Sequence, residues 1–182
     1  MKEVNQMFDI GERIFVEGIE KLEESNDSHL NSKYITDDIH NRRLATVNFT
    51  NGLELIFKAI LVKKGFCIFK FSNQKKGTQG YIWKLNDKVE DIVKDEDKTI
   101  DISQVIACFK ELYPRLPLDN VDKLRILRNN IVHRGTAIGE KKGIYFEKTI
   151  ECLIEIYSRE KIKHTKFIAK ITEAKQNAFW RM

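Results

Sequence analysis

Two prolines, Pro114 and Pro117, stand three residues apart in a chain of 182 residues. Proline removes a backbone donor and breaks a helix interior. Everywhere else the chain is free to stay helical, and its apolar residues recur at helical spacing. Ile10, Ile14, Phe15, Ile19 and Leu22 form one stripe among Glu and Lys, which predicts a helix from Phe8 to Leu22. Ser25 to Asp38 is polar and carries Asn26, Asp27, Ser28 and Asn31, so it reads as a loop. A second helix is expected from Leu44 to Lys64, with Gly65 as its C-terminal cap. Phe66–Phe71 is short and aromatic, either a strand or a buried extension. Ser72–Gly80 reads as a basic loop, Tyr81–Val93 is ambiguous, and Lys94–Lys98 reads as a solvated loop.

Asp101 or Ser103 is placed to cap a helix that reaches Leu112 and stops at Tyr113–Pro114. Asp119, with Asp122 three residues on, resembles a capping box and starts the next helix. That helix is expected to reach His133 and end at Gly135. A last helical region begins near Ile144, passes Tyr157 and breaks near Arg159. The fold class is therefore all-α, a bundle of four to six helices.

Apolar residues make up 42% of the chain and charged residues 32%, enough of the former for a core and against a disordered chain. The expected organisation is a helical domain over 1–159 with a basic helical arm over 160–182 packed on it. The arm holds Lys161, Lys163, Lys166, Lys170, Lys175 and Arg181 against Glu160 and Glu173. With a net charge of +5, it suits either a solvated face or a polyanionic partner. The longest apolar region, Leu53–Val62, is interrupted by Glu54 and Lys58, so no membrane span is expected. The N-terminus lacks the pattern of a signal peptide. Cys67, Cys108 and Cys152 form no CxxC pair, which reads as buried thiols in a reducing, cytoplasmic setting. His29, His40 and His164 read as surface residues; no metal site and no cofactor is expected.

The segment from Asp119 to Gly135 reads DNVDKLRILRNNIVHRG. At about 100° per residue, Val121, Leu124, Leu127 and Ile131 form an apolar stripe, and Arg128 falls on its edge. An arginine leaning toward a core needs an anion, a carbonyl or a partner surface. Glu54, which interrupts an apolar helix, is a candidate counter-charge or a further site residue. Asn129 and His133 are four apart, so the amide can orient the imidazole. Arg128 and His133 point about 140° apart in a regular helix. They meet only if the helix ends or distorts between them, or if a second copy completes the site.

Arg128, the polar Asn129 directly after it, and His133 five positions on from Arg128 resemble the motif of HEPN domains (higher eukaryotes and prokaryotes nucleotide-binding). Asn51-Gly52-Leu53-Glu54-Leu55-Ile56-Phe57-Lys58-Ala59 is similar to the second helix of such domains. The resemblance extends in layout from Phe8 to Tyr157, but at residue level only from Arg128 to His133. It implies a HEPN-like bundle and a metal-independent endoribonuclease, in which a homodimer joins two Arg–His motifs in one cleft. His133 would move protons and Arg128 would hold the phosphate. Asn129 would position His133 or a phosphate oxygen, Asn130 would support the site, and Arg125 and Arg134 would steer RNA. The resemblance further implies a toxin or antiviral defence effector held by an antitoxin or other partner protein. A non-catalytic helical module that binds RNA, a nucleotide or a protein is the alternative. One toxin group carries a Tyr two residues after the His; Gly135 stands there, so modification of a motif tyrosine is not expected.

Overall fold

A computed structural model describes residues 2–28, 35–66, 68–71, 94–134 and 143–177. Among these it is an all-α bundle of six helices: α1 (Lys2–Ser28), α2 (Ile35–Lys63), α3 (Ile102–Leu112), α4 (Asp119–Arg134), α5 (Gly143–Arg159) and α6 (Thr165–Gln176). A small antiparallel ribbon, β1 (Phe69–Phe71) and β2 (Lys94–Thr99), lies between α2 and α3 in the chain and pairs Phe69 with Thr99. The two readings for Phe66–Phe71 thus resolve partly into a strand. The expected loop at Lys94–Lys98 is instead a strand. Its charged sequence has no apolar alternation, and the structure comes from a partner strand distant in sequence.

The frame is the antiparallel pair α1–α2. Their backbones touch through glycines: a Cβ on Gly52 would lie 2.5 Å from the Phe15 nitrogen and 2.6 Å from the Gly11 oxygen. A Cβ on Gly18 would lie 2.6 Å from the Phe49 nitrogen. Phe15 and Phe49 close the same seam at 4.0 Å between ring centroids, and Phe146 of α5 and Phe167 of α6 lie edge-on to them. Phe57 stacks on Phe109, which brings α3 to the same core.

α1 is longer at both ends than the apolar stripe predicts, and α2 begins at Ile35 rather than Leu44. The expected Ser25–Asp38 loop is accordingly too long. Polar residues without Pro or Gly do not stop a helix, and buried Ser25 bonds its hydroxyl back to the Leu22 carbonyl.

Gly65, at φ 86°, closes α2 as expected: its N–H bonds to the Val62 carbonyl and that of Phe66 to the Leu61 carbonyl. Asp101, not Ser103, caps α3, with a reciprocal capping box to Gln104. Asp119 is not the cap of α4. The Leu118 carbonyl takes the first helical bond, from the Asp122 N–H at 3.1 Å. The Asp119 carboxylate turns to Lys110 at 2.8 Å instead.

The segment Ile39–Lys63 of α2 is long and apolar enough to cross a membrane by length and composition, contrary to the sequence expectation. Two thirds of its apolar window is buried inside the bundle (67%), as the central helix of a packed core requires. Cys108 and Cys152 are buried thiols, pushed up to about 11 and about 12 by desolvation. They are poor nucleophiles at neutral pH. Cys67 lies outside the described residues.

Candidate nucleic-acid site

α4 packs against α2, α3 and α5 through Val121, Leu124, Leu127 and Ile131, all buried. Lys123 adds a cationic contact, 5.3 Å from the centre of the Tyr145 ring on α5. The helix runs unbroken from Asp119 to Arg134. No end or distortion falls between Arg128 and His133, so the two side chains remain about 140° apart around one regular helix. Arg128 is half-buried against α2, and His133 is exposed on the outer face.

What holds Arg128 differs from the sequence expectation. Its Nη1 donates to the Asn129 side-chain oxygen at 3.1 Å, and its Nη2 donates to the Asn51 side-chain oxygen on α2 at 3.3 Å. The Nε is buried and has no hydrogen-bond partner among the described residues. No carboxylate pairs with this guanidinium among the described residues. Glu54 does not reach it. Glu54 accepts from Lys58 at 2.5 Å, and Lys58 also donates to Thr99 at 2.8 Å, fastening the ribbon to α2. A carboxylate four residues before a lysine on one helix is already a preferred pair.

The remaining predicted residues divide between two faces. Asn129 is half-buried and spends its oxygen on Arg128, and no hydrogen bond joins it to His133. Asn130 is half-buried. Arg125 is tied to Asp122 at 2.7 Å. The side chain of Arg134, and Gly135 whole, lie outside the described residues. On the outer face Ile126, Asn129 and His133 follow one another at helical spacing, and Ile126 and Val132 are 46% and 52% exposed. Six residues apart, they stand about 120° from one another around the helix, and singly exposed apolar side chains are ordinary on a protein surface.

Asn51 is the site residue that sequence reading passes over. It sits one turn before Glu54 in the same quoted stretch. Its role depends on how α2 is rotated against α4, which no local pattern encodes.

A second polar cluster lies away from α4. His164 is not a bare surface residue. Its Nδ1 is 2.6 Å from Glu12 Oε1, and the same oxygen accepts from the Tyr157 hydroxyl at 2.7 Å. The Phe8 ring lies edge-on to both His164 and Tyr157. His40 is exposed, and His29 lies outside the described residues. Burial raises the Glu12 carboxyl above its ordinary value, against the lowering by Tyr157 and His164.

The folded chain therefore holds the Glu12 proton more tightly than the unfolded chain does. That contribution to stability is full below about pH 4.5 and is lost as pH rises through the raised folded value. Glu12→Ala strips the buried Tyr157 hydroxyl of its acceptor and is expected to cost about 2 kcal/mol. Glu12→Gln keeps an acceptor, costs less and flattens the stability profile above pH 4.5. Urea unfolding from pH 4 to 7 checks both variants. Equal stability of Glu12→Ala and the parent chain would contradict this account of the cluster.

No family model, curated protein or solved structure matches this chain.

Proposed function

We propose that the protein is a metal-independent endoribonuclease of the HEPN type, working as a homodimer in which α4 of one copy faces α4 of the other. The observation that carries this reading is Arg128: a half-buried guanidinium steadied by two amide oxygens, with no carboxylate against its charge among the described residues. An arginine so placed usually has a carboxylate. One without it suits a phosphate, which a planar fork of donors grips well.

The reaction conserves atoms and protons. The RNA 2′-oxygen bonds to the adjacent phosphorus, and the bond from phosphorus to the 5′-oxygen breaks. His133 takes the 2′-hydroxyl proton and returns one to the leaving 5′-oxygen. Arg128 stabilises the charge that builds on the non-bridging oxygens. The products are a 2′,3′-cyclic phosphate and a 5′-hydroxyl. Because Arg128 and His133 diverge in one chain, His133 of one copy serves the phosphate held by Arg128 of the other. Exposed Ile126 and Val132 supply apolar contact for that pairing. The expected setting is the cytoplasm, as a toxin or defence effector restrained by a partner protein.

A second reading is favoured by one observation: among the described residues, none hydrogen-bonds to His133 to orient it. On that reading the bundle binds RNA, a nucleotide or a protein without cleaving. Incubating purified protein with single-stranded RNA in EDTA separates the two. Cleavage leaving cyclic phosphate ends, with DNA of the same sequence intact, supports the ribonuclease. Binding without cleavage supports the module.

A further inference from the structure

We infer that Asn51 is the positioning residue of the phosphate seat, and that an amide rather than a carboxylate at this place is what keeps Arg128 available to a phosphate. The inference deepens the ribonuclease reading and rests on it only for the identity of the phosphate's owner.

Asn51 comes from the interior of α2, a helix whose apolar window is two-thirds buried in the bundle (67%). Its oxygen meets Nη2 of Arg128 while Asn129, from Arg128's own helix, meets Nη1. Two acceptors on two helices limit rotation of the guanidinium about its long side chain, which otherwise carries much rotamer freedom. Both acceptors are neutral. An aspartate at position 51 would have the same shape and would accept the same N–H, but it would also cancel the charge. Nε, buried and without an acceptor among the described residues, is a donor left unused there. Unused buried donors are rare in native proteins and call for an acceptor, which a bound anion or a water supplies. A purely structural Asn51 makes a different demand: it would be served as well or better by aspartate, because an ion pair would then tie α2 to α4.

The test uses the full chain, with inorganic phosphate as the probe, read at the Arg128 Nε–H nitrogen resonance. That resonance is assigned by its loss in Arg128→Lys. In the parent chain it is expected to shift saturably with phosphate. Asn51→Asp is expected to need at least tenfold more phosphate for the same shift, with an unfolding temperature equal to or above that of the parent. Asn51→Ala, which frees the guanidinium without neutralising it, should weaken phosphate several-fold and keeps the inference testable if the aspartate variant fails to fold. Parent and Asn51 variants that titrate alike would overturn it, as would a parent resonance that phosphate does not move. Phosphate binding of the expected pattern in a chain that never cleaves RNA would remove the ribonuclease and leave the role of Asn51 standing. RNA cleavage by a chain indifferent to Asn51→Asp would do the reverse.

Discussion

Arg128→Ala is expected to lower the rate of RNA cleavage by about 10²–10⁴-fold, the range for losing a charge that stabilises a developing oxyanion. His133→Ala should lower it by a similar factor, as expected when a proton-transfer group is removed. Stability separates this account from a structural one. His133 is exposed, so its removal should leave unfolding within about 0.5 kcal/mol of the parent. Arg128→Ala deletes a guanidinium that has no ion-pair partner among the described residues and a buried donor without an acceptor. It should therefore cost about 1 kcal/mol or less, whereas breaking a buried ion pair would cost several. Product formation from labelled RNA in EDTA, alongside urea unfolding, reads both quantities. Full cleavage in either variant, or a chain that Arg128→Ala unfolds, would contradict the roles assigned here.

The second large effect concerns the frame that carries the site. Gly52→Ala would put a methyl 2.5 Å from the Phe15 nitrogen and 2.7 Å from its Cα. Those atoms belong to the backbone of α1 and cannot rotate away. The two helices must separate, and the Phe15–Phe49 contact at 4.0 Å opens with them. A loss of about 3 kcal/mol or more is expected, at or beyond the usual cost of overpacking a core. Asn51 is the neighbouring residue, so the shift should also disturb the amide that meets Arg128. Urea unfolding gives the direct check. A Gly52→Ala chain as stable as the parent would mean that α1 and α2 do not approach as closely as their glycines allow.

Much of the frame is legible in the sequence because its determinants are local. α3 carries its cap at Asp101 and its stop at Tyr113–Pro114, all within one short stretch of chain. Gly65 announces the end of α2 in the same way. The ends of α1 and the strand β2 are not legible. Polar residues on a solvated helix look like a loop, and a charged strand acquires its structure from a distant partner.

The same division holds at the site. The lean of Arg128 toward the core and the outward turn of His133 follow from helix geometry alone. The partner of Arg128 does not. Glu54 is the conspicuous acidic candidate, yet Lys58 claims it, and Asn51 one turn earlier makes the contact. Choosing between them requires the rotation of α2 against α4. That rotation is decided by the whole core, including the glycine contacts that α2 makes with α1.

If one active site draws on two copies of the chain, mixing two inactive variants should restore cleavage. Arg128→Ala and His133→Ala proteins are each inactive alone on this account. Co-refolded in equal amounts, half of their dimers should be mixed. Each mixed dimer holds one cleft with an intact Arg128 from one copy and an intact His133 from the other, so roughly a quarter of the parent activity should return. Recovery near that level supports a shared site. Failure to recover, in a mixture shown to contain mixed dimers, would contradict it.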